Sequence, residues 1–172
     1  MKHAFIMDPL EGVKPHKDTT YFLMLAACER GHEVFFVDPA TLSLQHSEVH
    51  ATVVKAKVSR DQQQPFVVES KGSYALGIMD AVWIRQDPPF DRSYFYVTLL
   101  LDQLPDRVQI INRPVTVRNW NEKLAALRYP MFTPATLVSR SMQEISEFLK
   151  EQKRITVKPI DGHGGKGIIF LN

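Results

Sequence analysis

Four short and nearly continuous apolar runs, each closed by polar residues and a proline, constrain the fold of this chain more than any other feature. The runs are His3–Met7, Glu33–Val37, Ala81–Arg85 and Val108–Ile111. Apolar residues that do not alternate with polar ones are typical of strands buried on both faces, as in parallel sheets. Because helix-like segments separate the runs, we expect right-handed strand–helix–strand units. The sequence therefore predicts an α/β fold with a mostly parallel sheet flanked by helices on both faces.

The segments between these runs have their own signals. Asp18 or Thr19 can cap a helix that runs to about Arg30, because short polar side chains accept hydrogen bonds from the free N–H groups of a first turn. A second helix is expected over Asp91–Leu104. Residues 41–77 alternate loosely around a polar break, which favours an antiparallel excursion.

Beyond about residue 116 the order of elements changes to helix, strand, helix, strand, glycine-rich loop and strand. The predicted elements are a helix Val115–Arg128 with Thr116 as candidate cap, a strand Ala135–Ser139, a helix from the capping box Ser141–Glu144 to Gln152, and strands Ile155–Val157 and Ile168–Leu171. We therefore expect two domains, residues 1–116 and residues 117–172.

Composition excludes several classes of protein. Hydrophobic residues make up 44% and charged residues 23%, and the net charge of +2 is too small to indicate a nucleic-acid partner. No apolar run approaches the roughly 18 residues of a membrane span, and the residues before the first strand give no expectation of a signal peptide. Cys28 is the single cysteine, and the six histidines show no ligand spacing, so no metal site built on histidine is expected. The cytoplasm is the expected compartment.

The segment VKPIDGHGGKGIIF holds four of the eight glycines. Its Gly162-x-Gly164-x-x-Gly167 pattern matches the dinucleotide fingerprint literally, but that fingerprint opens a helix, and here a β-branched and aromatic run follows. A Walker A loop is also excluded, because Lys166 precedes a glycine instead of a serine or threonine. The remaining interpretation is a hairpin flap whose backbone N–H groups can approach a phosphate, with Lys158 aimed at whatever the flap covers. The alternative is a tight structural hairpin with a surface lysine.

Five segments, in this order and spacing, carry a family resemblance. They are FIMDP (Phe5–Pro9), IRQDPPFD (Ile84–Asp91), INRPVTVRNWNEKL (Ile111–Leu124), TPATLVSR (Thr133–Arg140) and VKPIDGHGGKGI (Val157–Ile168). Together they resemble bacterial glutathione synthetases, which are ATP-grasp ligases, over the whole of residues 1–172. The resemblance implies a pre-ATP-grasp substrate domain followed by the opening part of an ATP-grasp module.

That resemblance also implies a reaction and its small-molecule partners. γ-Glutamylcysteine, glycine and ATP would give glutathione, ADP and phosphate through an acyl phosphate, with Mg²⁺ as the metal and a homo-oligomer as the assembly. Two alternatives remain open: another ATP-grasp carboxylate–amine ligase, and a non-catalytic module that binds a nucleotide or peptide.

Candidate site residues follow from the same matches. Lys123 and Lys158 correspond to the lysines that contact ATP phosphates, and Gly162, Gly164 and Gly165 to the flap over them. By sequence alone, without the resemblance, the favoured interpretation of Lys123 is a solvated helix residue.

Arg85, at the end of a predicted parallel strand, is a candidate for holding a substrate carboxylate, although a salt bridge to Asp87 or Asp91 would explain it as well. Asp8 and Asp18 are candidates for a substrate ammonium, against simpler roles as a turn residue and a helix cap.

The resemblance places the catalytic residues and the Mg²⁺ ligands beyond residue 172. No catalytic residue and no metal ligand are therefore assigned, and we expect residues 1–172 alone to be inactive.

Overall fold

The structure, a computed structural model, describes residues 1–172, which form two compact units, Met1–Arg118 and Asn119–Asn172. The first unit is built on a seven-stranded sheet. Its strands are β1 (Lys2–Ile6), β2 (Glu33–Val37), β3 (Ser43–Gln45), β4 (Glu48–Val58), β5 (Phe66–Ala75), β6 (Ala81–Ile84) and β7 (Gln109–Ile111). Its helices are α1 (Thr19–Glu29), α2 (Arg92–Leu101) and α3 (Pro114–Asn119).

β1 lies at the centre of the parallel part of this sheet. It pairs in parallel with β2 on one side and with β6 on the other, and β7 extends the parallel region beside β6. The four apolar runs thus form the parallel part of one sheet, as the sequence predicts.

The predicted antiparallel excursion is also confirmed, and it extends the same sheet. β4 runs antiparallel to β2, with Phe35 opposite Lys55. β5 pairs antiparallel with β4 along its other edge, whereas the short β3 pairs antiparallel with the start of β4 on the same edge as β2. The hydrogen-bonded path through the sheet is therefore β3-β4-β2-β1-β6-β7, with β5 on β4.

Each face of the sheet has its own hydrophobic core. Because successive side chains of a strand point to opposite faces, Phe5 of β1 packs in one core and Ile6 in the other. Met24 of α1 is fully buried with Phe5, and Leu101 of α2 is fully buried with Ile6. Helices therefore cover both faces, as expected.

α1 begins and ends as the sequence indicates. The Asp18 carboxylate accepts a hydrogen bond from the Tyr21 N–H at 2.9 Å, and Gly31 follows the helix with a φ of +75°, a left-handed conformation that glycine adopts without steric cost.

The second unit contains α4 (Glu122–Ala125), α5 (Met142–Gln152) and a hairpin of β8 (Ile155–Val157) and β9 (Ile169–Leu171). The predicted single helix Val115–Arg128 is wrong, because the chain breaks at Trp120–Asn121 into α3 and α4. Asn121 caps α4 by accepting from the N–H groups of Lys123 and Leu124, and Thr116 lies inside α3. Asparagine favours such a cap over a helix interior.

Two further expectations in this unit are corrected. The predicted strand Ala135–Ser139 has no ladder partner and is not a strand, and Val138 is exposed. Only one of the two hydrogen bonds of the capping box forms. The Ser141 hydroxyl accepts from the Glu144 N–H, but the Glu144 carboxylate accepts from the Ser139 hydroxyl and not from the Ser141 N–H. Met142 is exposed. The strand–glycine loop–strand hairpin is confirmed.

No helix in the structure is both long and apolar enough to cross a membrane.

A histidine pair lies where β1, β2 and β6 meet. The buried His3 accepts a hydrogen bond at Nδ1 from the Trp83 indole N–H at 3.1 Å, so its neutral form carries the proton on Nε2. That nitrogen lies 2.9 Å from Nδ1 of His32. Burial, followed by the His32 charge and the N-terminal ammonium, lowers the pKa of His3 below its ordinary value of 6.5, with Asp80 acting in the opposite direction.

This pair predicts a loss of stability in mild acid. Since His3 binds a proton less readily in the folded chain than in the unfolded chain, the unfolded chain takes up more protons as the pH falls below about 6.5, and the folded state is disfavoured. Thermal melting between about pH 7.5 and about pH 5.5 checks this, with His3→Gln as the variant. We expect His3→Gln to flatten the fall of Tm with pH.

The exposed His16 offers the matched control. A His16→Gln variant keeps the wild-type pH dependence of Tm. Equal pH dependence in His3→Gln and wild type would contradict the role assigned to the pair.

Candidate functional site

The glycine-rich loop between β8 and β9 has a backbone that requires glycine. Gly164, Gly165 and Gly167 adopt positive φ angles of 55°, 78° and 73°, in the left-handed region that other residues rarely enter. A Cβ at Gly167 would lie 2.8 Å from the Pro159 ring. The loop can therefore approach Pro159 this closely only because residue 167 has no side chain.

Two side chains at the start of α4 hold this loop from the other side. The Asn121 amide donates to the Ile160 carbonyl at 3.0 Å. The Lys123 ammonium donates to the Gly162 carbonyl at 2.6 Å and to the Glu122 carboxylate at 2.9 Å. Lys123 is thus fixed against the loop, and the alternative of a freely solvated helix residue is wrong.

A small cavity of about 170 Å³ lies between α4 and the loop. Lys158, Gly162, Gly164 and Gly165 line it together with Lys123, so the structure brings together five residues that the sequence singles out. The backbone N–H groups of Gly164 and Gly165 donate to no acceptor in the chain. Free backbone N–H groups beside lysine ammonium groups are the kind of hydrogen-bond donors that bind phosphate oxygens.

The charge of the cavity favours an anion. Its lining holds three lysines, Lys123, Lys158 and Lys166, against one carboxylate, Glu122. The hydrogen bond from Lys123, then the charge of Lys123 and the more distant charge of Lys158, lower the pKa of Glu122. Glu122 is therefore ionised near neutral pH and offsets only part of the positive charge.

A larger groove of about 1410 Å³ borders two of these lysines, Lys123 and Lys158. Apolar side chains contribute much of its wall, among them Leu127, Phe148, Val157 and Ile169. A polar cavity next to an apolar groove suits a ligand that has a charged end and a flat apolar end. The sequence gives no sign that these apolar residues line a site, because each also fits a role in a hydrophobic core.

In the first unit, Arg85 lies directly beyond the carboxyl end of β6. Its backbone N–H donates to the Ile6 carbonyl of β1 at 2.8 Å. Its guanidinium Nε donates to the hydroxyl of the buried Thr20 at 3.0 Å. Arg85 forms no salt bridge with Asp87 or Asp91: the Asp91 carboxylate caps α2 instead, accepting from the Tyr94 N–H at 2.9 Å. Thr20 orients Nε, so the two terminal nitrogens of Arg85 remain available for a carboxylate.

Asp8 joins this cluster through the backbone. Its carboxylate accepts from the Asp87 N–H at 2.8 Å, which ties the loop after β1 to the loop after β6. Burial chiefly raises the pKa of Tyr94, with Arg85 lowering it and the charges of Asp8 and Asp87 raising it. The arginine and both carboxylates thus lie near one phenol.

The buried Oε1 atom of Gln86 has no hydrogen-bond partner, and such an unpaired acceptor costs about 1–3 kcal/mol. A ligand with an N–H donor would satisfy it. Asp18 caps α1 and forms no hydrogen bond with Arg85 or Asp8. A ligand role for Asp18 stays a prediction.

Sequence reasoning missed Thr20, Gln86 and Asn121. A threonine in a helix and an asparagine at a helix start have ordinary structural uses, so only the fold reveals that Thr20 orients Arg85 and that Asn121 fastens the glycine loop. One sequence feature could have indicated a role for Gln86, since this residue lies within the motif IRQDPPFD, next to the candidate Arg85.

Two family models match the chain in succession. One describes the N-terminal domain of prokaryotic glutathione synthetase and matches residues 1–118. The other describes the ATP-grasp domain of prokaryotic glutathione synthetase and matches residues 122–172.

Curated relatives agree with these matches. The chain is 38% identical to a glutathione synthetase of Gloeobacter violaceus, over 99% of the chain and 55% of the relative. It is 34% identical to that of Coxiella burnetii, over 99% of the chain and 54% of the relative, and 38% identical to that of Xanthomonas axonopodis pv. citri, over 95% and 52%. The chain spans about half the length of the curated relatives it matches.

Proposed function

The chain belongs to the prokaryotic glutathione synthetase family, and we propose that the protein carrying it ligates γ-glutamylcysteine to glycine at the expense of ATP. In this reaction a carboxylate oxygen of the dipeptide attacks the γ-phosphorus and ADP leaves. The glycine amine then attacks the acyl carbon, and the C–O bond to phosphate breaks. The observation that carries the proposal is the succession of the two family domains along the chain, over residues 1–118 and 122–172.

The lysine-lined cavity is the proposed site for the ATP phosphates. Lys123 and Lys158 supply positive charge, and the free N–H groups of Gly164 and Gly165 supply directed donors. Fixed donors of this kind stabilise charge on a transferred phosphoryl group without reorganising during the reaction. A loop that closes over the phosphates also excludes water from an acyl phosphate that hydrolyses readily.

The Arg85 cluster is the proposed site for γ-glutamylcysteine. A guanidinium with two terminal nitrogens available binds a carboxylate bidentately, and the dipeptide has two carboxylates and one ammonium. The ammonium would find acceptors in Asp8 and in the unpartnered Gln86 oxygen. On this proposal residues 1–116 form the substrate domain and residues 117–172 begin the ATP-grasp domain.

Mg²⁺ is expected to accompany ATP, but residues 1–172 contain no group of three or more His, Cys, Asp or Glu residues that could hold a metal ion. No role in metal binding is therefore assigned to these residues. The homo-oligomer and the cytoplasmic location stay predictions.

The phosphate site predicts a specific loss of nucleotide affinity. Replacing Lys123 with methionine removes a charge-assisted contact worth about 1.5–3 kcal/mol, so the Kd for ATP should rise by about ten- to a hundredfold. Calorimetric titration of the protein with ATP checks this, with circular dichroism to verify folding, since Lys123 also anchors Gly162. Lys150→Met, on the exposed side of α5, is the matched control and should bind like wild type. Unchanged affinity in Lys123→Met would refute the assignment.

The dipeptide site predicts a graded effect on KM. Arg85→Ala should raise the KM for γ-glutamylcysteine by about ten- to a hundredfold and leave the KM for ATP unchanged. Thr20→Val, which removes only the bond that orients Nε, should raise it by about two- to tenfold. Thr20→Ser keeps the hydroxyl and should resemble wild type. A rise in the KM for ATP alone would place Arg85 at the nucleotide or in the scaffold.

A further inference from the structure

Lys166 is the third lysine of the small cavity, and it lies on the glycine-rich loop itself. The residue is exposed, and its ammonium forms no ion pair and no hydrogen bond in the chain. Lys123, by contrast, is hydrogen-bonded to the Gly162 carbonyl and to the Glu122 carboxylate. Lys166 is therefore a positive charge that the chain itself does not compensate.

The backbone at Lys166 is fixed although its side chain has no partner. The Lys166 N–H donates to the His163 carbonyl at 3.0 Å. A Cβ at Gly162 would lie 3.3 Å from the Lys166 carbonyl oxygen, and a Cβ at Gly167 would lie 2.8 Å from the Pro159 ring. The loop thus packs closely on its own start, and the flexible four-carbon stem of lysine carries the ammonium from a fixed point on the cavity wall.

The residues of the cavity divide according to whether they also face the apolar groove. Lys123 and Lys158 line both the small cavity and the groove. Lys166, together with Gly164 and Gly165, lines the small cavity only. Lys166 therefore belongs to the part of the cavity wall that does not face the groove.

A ligand that occupies both spaces would meet these charges in a fixed order. A flat apolar group suits the groove, and an anionic chain attached to it would pass Lys123 and Lys158 before it reaches Lys166. The carboxylate of Glu122 also borders the groove, and it pairs with Lys123 at 2.9 Å. Glu122 thus offsets positive charge near the groove and leaves the charge at Lys166 uncompensated.

We propose that Lys166 binds the terminal phosphate of a nucleoside triphosphate and thereby makes the glycine-rich loop distinguish ATP from ADP. This inference rests on the ATP site proposed above. ADP held by the same base and the same first phosphates ends at Lys123 and Lys158, so it does not reach Lys166. The loop therefore holds the nucleotide more tightly before phosphoryl transfer than after it.

The first test compares the affinities for a triphosphate and a diphosphate. Residues 1–172 are titrated calorimetrically with the β,γ-imido analogue of ATP, which resists hydrolysis, and with ADP, in EDTA so that no divalent ion contributes to the difference. Lys166→Met should raise the Kd for the triphosphate by about three- to tenfold and the Kd for ADP by less than about twofold. The loss is smaller than for Lys123→Met, because an exposed, flexible ammonium is screened and loses side-chain entropy on binding.

Two further variants separate charge from structure. Lys166→Arg keeps the positive charge and should retain the wild-type preference for the triphosphate. Lys150→Met removes an exposed lysine of α5 and should bind both nucleotides like wild type. Lys123→Met should weaken both nucleotides, because its contact precedes the terminal phosphate. Circular dichroism verifies that each variant is folded.

The second test is the order of the contacts along the phosphate chain. In ³¹P spectra of the bound triphosphate, Lys166→Met should change the shift of the γ-phosphorus most. Lys123→Met should act mainly on the α- or β-phosphorus.

The outcomes separate this inference from the ATP site on which it rests. If Lys166→Met weakens the triphosphate and ADP equally, weakens neither, or acts mainly on the α-phosphorus, while Lys123→Met weakens both nucleotides, the role of Lys166 is refuted and the ATP site stands. If wild type binds neither nucleotide, or Lys123→Met binds both like wild type, the ATP site itself is refuted and the role of Lys166 with it.

Discussion

Parallel pairing of β1 with β2 and β6 is the constraint on which the first unit depends. Because parallel strands end at the same edge of the sheet, the residues after β1 and β6 meet there. The bond from the Arg85 N–H to the Ile6 carbonyl extends the ladder by one residue, and the bond from the Asp87 N–H to Asp8 joins the loops beyond it. Arg85 is therefore positioned by backbone geometry and by Thr20, with no dependence on a salt bridge.

In the second unit, the lysine of the candidate phosphate site is hydrogen-bonded to the glycine-rich loop itself. The Lys123 ammonium donates one hydrogen bond to the Gly162 carbonyl and another to the Glu122 carboxylate. The loop carbonyl is thereby occupied, and the loop N–H groups of Gly164 and Gly165 are left for a ligand. Glycine makes this possible, since a positive φ at three positions turns the chain while keeping side chains out of the cavity.

Most of the fold could be predicted from the sequence where local and long-range signals agree. Unalternating apolar runs predict β1, β2, β6 and β7, since burial on both faces leaves no position for polar residues. The prediction failed at Ala135–Ser139, where composition favours a strand but no neighbour pairs with it. It also failed at Asn121, because the helical pattern of the sequence continues through this residue and does not reveal that it caps a new helix. Pairing and capping depend on distant residues, so the pattern along the chain cannot show them.

The candidate site divides in the same way. The motif at Lys158 and Gly162–Gly165 is local, so the sequence shows it. The contact of Thr20 with Arg85 joins residues that are 65 positions apart in the sequence, and the contact of Asn121 with Ile160 joins residues that are 39 positions apart. Only the folded chain shows these contacts. They explain how Arg85 and Lys123, which look ordinary in the sequence, are held in place.

The central claim is that the N–H groups of Gly164 and Gly165 bind the phosphates of ATP. Amide proton and nitrogen shifts of isotope-labelled residues 1–172, recorded during titration with ATP and separately with adenosine, test it most directly. The account predicts that ATP shifts the Gly164 and Gly165 resonances as hydrogen bonds form to phosphate oxygens, and that adenosine, which has no phosphate, leaves them in place. Unchanged glycine resonances at saturating ATP, or equal shifts with adenosine, would contradict it.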